Sequence, residues 1–181
     1  MTSEIPANLS VKNLKYKKSK EKSDGYVKTY SITSFDDARI KLKLSNVLIP
    51  FGIEKYNKKH ILNIEIDPKK YNDHHNIKTL LSTFENEFID ISNIKYDILA
   101  QDIDGKGYYG NMKESKGGYI IRTNVFSNPE IFADIGGFRT ELTSSSIVKS
   151  RANVDLELAT LWITENNYGI CWQVRRIEIL T

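Results

Sequence analysis

Cysteine is nearly missing from this chain. Cys171 stands alone among 181 residues, so an internal disulfide is unavailable and a reducing, intracellular setting is expected. Long apolar runs are missing too: no stretch approaches the roughly 18 residues that cross a bilayer as a helix. The N-terminal MTSEIPANLSVKNLKYKKSKEKS lacks the apolar h-region of a signal peptide, and no membrane partner is expected. Phosphate-cradling GxxxxGKS or GxxxxGKT, GxGxxG, GxSxG and HExxH are all absent. His74 and His75 are adjacent at a helix start, where neighbours diverge by about 100°. They are expected to be solvated rather than joint metal ligands. Asp102-Ile103-Asp104-Gly105 opens like a calcium loop, but Lys113 stands where the closing glutamate belongs, which leaves an acidic turn. Cys171, beside Trp172 in an apolar strand, reads as a buried structural thiol, and no carboxylate cluster for two metals can be picked out. Neither a catalytic residue, a metal nor a cofactor is expected.

Present instead are cations and rings. The net charge of +3 is unevenly spread, because residues 1–28 hold seven lysines (Lys12, Lys15, Lys17, Lys18, Lys20, Lys22 and Lys28) against Glu4, Glu21 and Asp24. The rest of the chain is close to neutral. Such a lysine-rich, apolar-poor leader buries too little surface to offset its ordering entropy. Residues 1–25 are therefore expected to form a flexible basic arm, either a solubilising tail or a contact for phosphates, and residues 26–181 a single globular domain.

Within that domain, alternation marks the strands. In DARIKLKLSNVLIPFGI, Ile40, Leu42 and Leu44 share one face while Arg39, Lys41 and Lys43 share the other. HILNIEID turns Leu62, Ile64 and Ile66 inward, and Tyr30 and Ile32 share a side of YVKTYSITS. Residues 73–91 change period: Ile77, Leu80, Leu81, Phe84, Phe88 and Ile91 predict an amphipathic helix with Asn72 or Asp73 as N-cap. KYDILA and YIIRTNVF read as strands, PEIFAD as a short helical turn, and TSSSIVKS as an exposed loop. From Arg151 a last hairpin begins, and the apolar positions slip from Trp172 and Val174 to Ile177 and Ile179. That slip predicts a β-bulge at Arg175-Arg176. Seven or so strands with one helix between them point to a mainly β fold, a small OB-like barrel.

Single-stranded nucleic acid is held by grooves that combine phosphate-tracking cations with rings that stack on bases. Candidates for the cations are Arg39, Lys41, Lys43, Arg122, Arg139, Lys149 and Arg151, with the β-strand ladder of Arg39, Lys41 and Lys43 carrying most weight. Candidates for stacking are Tyr30, Tyr108, Tyr109 and Phe138. Alternation assigns Trp172 to the core. Trp162 and Tyr168 flank the last turn, where either ring can cap a groove.

The closing VDLELATLWITENNYGICWQVRRIEI and the upstream LIPFGIEKYNKKHILNIEID resemble segments of the OB-fold single-stranded-DNA-binding proteins of large nucleocytoplasmic DNA viruses, a group similar to the podophage replication proteins. The resemblance implies a non-catalytic protein that coats single strands during viral DNA replication, recombination and repair, in the host cytoplasm or nucleus. Its partners would be single-stranded DNA, or RNA, further copies of itself and replication proteins. One departure from the podophage pattern is the absence of an acidic tail, since the sequence ends RRIEILT. The rival expectation is a structural or assembly β-barrel, a virion or complex subunit with a basic packaging tail.

Overall fold

Strand alternation carries through most of the chain. A computed structural model describes residues 6, 9–19, 27–57 and 59–181, the side chains of 126–128 apart. Its strands are β1 (Leu14–Lys18), β2 (Lys28–Ser34), β3 (Ile40–Ile49), β4 (Ile53–Tyr56) and β5 (Lys59–Ile66), then the helices α1 (Asn72–Ile89) and α2 (Asp97–Ile103). There follow β6 (Gly107–Tyr108), β7 (Met112–Ser115), β8 (Gly118–Ile135), β9 (Phe138–Glu141), β10 (Ser150–Ile163) and β11 (Asn167–Ile179).

Five of these strands close a ring. β3 pairs with β5, β5 with β8, β8 with β11, β11 with β10 and β10 again with β3. Only β8 and β11 run parallel within it, and the β3–β5 seam is a single pair, Leu48 with Glu65. The inward residues of alternation are the core: Leu42, Leu44, Leu62, Ile64, Ile66, Leu158, Trp172 and Val174 are all almost fully buried. This is an OB-like architecture, mainly β, with α1 laid against the inside of the ring. Phe84 of α1 approaches Trp172 (centroids 6.4 Å apart) and crosses Phe88 edge to face. Tyr168 donates its hydroxyl to Phe88 O at 2.6 Å. The expected bulge is present: Asp155 faces Arg176 and Leu156 faces Val174, leaving Arg175 as the extra residue.

Several expectations need correction. Residues 9–19 are not a mobile arm. β1 pairs along its whole length with β2, and Val11, Leu14 and Tyr16 join the core cluster. Ser10 Oγ and the Val11 amide both donate to Glu87 of α1, at 2.7 and 2.8 Å. The lysines alternate with the buried positions 14 and 16, so the charge count concealed a half-buried strand. The remainder of the expected arm, apart from Pro6, lies outside the described residues. KYDILA is not a strand: it opens α2, where Leu99 and Ile103, four apart, are fully buried. PEIFAD is not helical but the second half of the long β8. Pro129 is tolerated there because it falls in the irregular stretch between the Val174–Val125 and Arg176–Glu130 pairs, where a missing amide breaks no ladder bond. TSSSIVKS contains a 3-10 turn whose Ile147 is buried. Helix α1 begins after Tyr71, with no side-chain cap from Asn72 or Asp73.

His74 is also buried rather than solvated. Its Nδ1 accepts from the Asp67 amide at 2.9 Å and its Nε2 faces Ser45 O at 3.1 Å, so the neutral tautomer with hydrogen on Nε2 satisfies both. The ring ties the start of α1 to β3 and to the end of β5.

Candidate nucleic-acid interface

A groove of about 770 Å³ opens on the outer face of the ring. Its floor is Ile61 and Asn63 of β5 and Ile120, Arg122 and Asn124 of β8, paired across the two strands as Ile61–Asn124 and Asn63–Arg122. One wall comes from the β3–β5 connection, through Tyr56 and Asn57. The other comes from the β10–β11 turn, through Trp162 and Thr164, and from the 109–113 segment, through Tyr109, Asn111 and Lys113. Counted along the chain, β5 and β8 are the second and third strands of the ring. This is the face, between the first and last connections, on which OB folds present their binding surface.

Each ring on the groove walls is matched with a cation or with another ring. The Arg122 guanidinium lies 5.0 Å from the centroid of Tyr56, a ring that is 56% exposed. Lys113 Nζ lies 4.7 Å over Tyr109 and donates to its hydroxyl at 2.7 Å, a bond that lowers the phenol's pKa. Trp162 leans on Tyr109 with centroids 6.1 Å apart. Its position depends on Gly169, directly opposite on β11. A Cβ there would stand 2.5 Å from the indole Cζ2 and 2.7 Å from Tyr109 O, so only glycine lets the indole lie flat across the strand.

Lys59, Lys113 and Arg122 line the groove, and among the described residues no Asp or Glu lines it, although Glu54 Oε2 accepts from Asn63 Nδ2 at 3.0 Å. The segment carrying Tyr109 is anchored from beneath, where the Asn111 amide donates to Glu85 Oε1 at 2.7 Å. Desolvation at that depth raises the pKa of Glu85. Cys171 borders the floor but is buried, accepting from Asn124 Nδ2 at 2.9 Å, and its thiol pKa is pushed up to about 12. It is a structural thiol, as expected. Among the described residues no three His, Cys, Asp or Glu side chains gather to hold a metal ion, and no helix is long and apolar enough to cross a membrane.

Of the phosphate and stacking candidates drawn from sequence, Arg122 and Tyr109 stand in this groove, joined by Trp162 from beside the last turn, and the others do not. Tyr30 is fully buried and donates to Asp102, which also pairs with Lys28. Tyr108 is packed between Phe88 and Tyr168, with centroids 6.0 and 5.4 Å away, and cannot receive a base. Lys41 and Lys43 are exposed on β3, but they sit opposite Glu157 and Asp155 of β10. Arg39 reaches Glu157 Oε1 at 3.7 Å, and Arg175 grips the same carboxylate with two bonds, at 2.7 and 3.2 Å. From Lys41 the row runs across the sheet through Glu157 and Gln173 to Asn124. At about 4.8 Å per strand, the ladder is roughly 14 Å from the groove floor, with acids between.

Arg139 and Phe138 belong to the β8–β9 hairpin, where Arg139 pairs with Glu130 and stacks on Phe132 at 4.1 Å. Lys149 precedes β10 with its amide bonded to Ile49 O, and Arg151 donates to Asn46 O at 2.8 Å while covering Tyr71. Sequence reasoning missed Tyr56, Lys59 and Lys113. Trp162 had been placed beside the turn, but with less weight than the ladder. The adjacent Tyr56-Asn57 and Lys59 in a polar hairpin connection offered a signal, because a ring and a cation there have no core to serve.

No family model matches the sequence, and none of the curated proteins matches it at a significant level. Solved structures do. The single-stranded DNA-binding protein from bacteriophage Enc34 superposes with a TM-score of 0.53 at 14% identity, over 91% of this chain and 89% of that one. The same protein in complex with ssDNA gives 0.50 at 13% identity, over 89% and 93%. At such identities the likeness is one of fold.

Proposed function

We propose that the chain is a non-catalytic single-stranded-DNA-binding protein whose strand lies in the groove between the β3–β5 connection and the β10–β11 turn. One observation carries this reading: Tyr56, Tyr109 and Trp162 converge on a trough whose charged lining is all cationic, on the binding face of an OB-like ring. The neighbour of similar fold described in complex with ssDNA supports it. Stacking rings need unpaired bases, and three cations can follow a few phosphates, so an exposed single strand is favoured over a duplex. Because the groove is built from rings and amides rather than from one base-shaped pocket, binding is largely indifferent to sequence. Such a protein would coat strands exposed in viral DNA replication, recombination and repair, at the site of that replication in the host cell. This agrees with the resemblance to the proteins of large nucleocytoplasmic DNA viruses.

The test is fluorescence anisotropy with labelled oligo-dT and a matched duplex. Three phosphate contacts at about 0.7 each predict that log Kobs falls by roughly 2 per tenfold increase in salt, with the duplex bound much more weakly. Oligo-dT left unbound at low salt, or a duplex bound equally well, would contradict the proposal.

A further inference from the structure

At the end of β8 the chain turns back through Gly136-Gly137, both at positive φ (63° and 84°), as a two-residue hairpin with this twist requires. β9 returns as Phe138-Arg139-Thr140-Glu141, paired only with β8 among the described residues. Leu142 N donates to Ile131 O at 2.9 Å. Counting back in twos, positions 140 and 138 also bond inward, so the amides and carbonyls of Arg139 and Glu141 point outward along the free edge. The hairpin tip is apolar and bare, with Phe138 79% and Ile135 53% exposed. Edges of this kind are normally shielded by charge, a bulge or a covering segment.

The charges on this edge complement themselves. Arg139 and Glu141 are two residues apart and share a face. Arg139 is held there by Glu130 and the ring of Phe132, and Phe132 is the register partner of Glu141. If two copies pair antiparallel about a two-fold axis at Thr140, Arg139 of each falls opposite Glu141 of the other, and Phe138 falls opposite Leu142 on the other face.

We propose that β9 is a homotypic docking edge, and that a second copy of this chain joins along it to make a four-stranded β8-β9-β9-β8 sheet. The occupant is chosen by charge. Opposite-sign pairs directly across strands stabilise, like-sign pairs repel, and a two-fold contact must be complementary to itself. β1 fails this condition, carrying Lys15, Lys17 and Lys18 with no acid. β4 and β7 rim the groove assigned to the single strand. So short an edge makes a weak, reversible contact.

Sedimentation velocity on the full chain, at concentrations up to about 500 μM, tests this. The parent should show a concentration-dependent monomer–dimer equilibrium. Glu141→Arg, which sets arginine against arginine at both ends, should weaken the dimer by roughly tenfold or more. The double exchange Arg139→Glu/Glu141→Arg should restore it to within about threefold of the parent, an outcome that misfolding of either variant cannot produce. Glu141→Pro, which removes only an outward amide, should abolish the dimer with the thermal midpoint little changed. A parent that stays monomeric throughout, a dimer indifferent to Glu141→Arg, or a double exchange that fails to rescue would each overturn the proposal.

Discussion

The indole of Trp162 lies where an added Cβ on Gly169 would collide with it, so Gly169→Ala must displace the ring from the groove while leaving the buried Trp172 in place. The expected result is a loss of oligo-dT affinity of about 1 to 3 kcal/mol, the worth of one stacked base, read by anisotropy alongside an unchanged near-ultraviolet signature of the core. His74 makes a second prediction at this scale. Desolvation first, and then the Arg151 charge, lower its pKa below the ordinary 6.5, so the native state keeps the ring neutral. The unfolded chain takes up a proton as pH falls through about 6.5 and the native chain only at lower pH, so stability is lost on acidification. Thermal midpoints measured from pH 7.5 to 5 should fall in the parent, and the slope should flatten in His74→Gln. At the residue scale, what could be read in sequence was burial. Alternation separated Trp172 from the rim, and helical spacing found Phe84 and Phe88. It could not tell that Tyr30 is covered by the Tyr96 ring, 6.2 Å away, because residue 96 reaches it from the N-cap of a helix that strand-like composition disguised.

Among the elements, β1 shows how a charge count misleads. Lys15, Lys17 and Lys18 gave the leader the appearance of a disordered arm, yet Leu14 and Tyr16 between them are 8% and 7% exposed and the strand is fully paired. Tyr16→Ala should therefore cost about 3 kcal/mol, in the range for a buried aromatic side chain, seen as a lower denaturation midpoint. A truncation that removes residues 1–25 should destabilise the whole ring rather than merely shed charge. Elements with several repeats of the two-residue period, β3, β5, β10 and β11, were legible, and so was the bulge at Arg175, because a slip in the apolar pattern has no other cheap explanation. α2 and the second half of β8 were not. Ile98-Leu99-Ala100 is too short an apolar run to show its period, and Pro129 breaks a strand only where its amide is needed.

Across the whole molecule, the groove draws its residues from segments around 56–63, 109–124 and 162–172, which meet only when the ring closes. No local pattern announces such a site, whereas the ladder of Arg39, Lys41 and Lys43 is conspicuous in sequence and is answered across the sheet by Asp155 and Glu157. Folding has set two acids among the cations of the ladder's face, whereas among the described residues the groove lining holds no Asp or Glu. The fold class was readable from strand inventory and helix placement; the choice of face required the register.

The measurement that bears most directly on this account compares two double variants in anisotropy titrations with oligo-dT at fixed salt. Tyr56→Ala/Arg122→Ala strips the groove, and Lys41→Ala/Lys43→Ala strips the ladder. The groove variant is expected to lose about 100-fold in affinity, from one stack and one phosphate contact, and the ladder variant less than about threefold. A ladder variant that loses more than the groove variant, or a groove variant that binds like the parent, would contradict it.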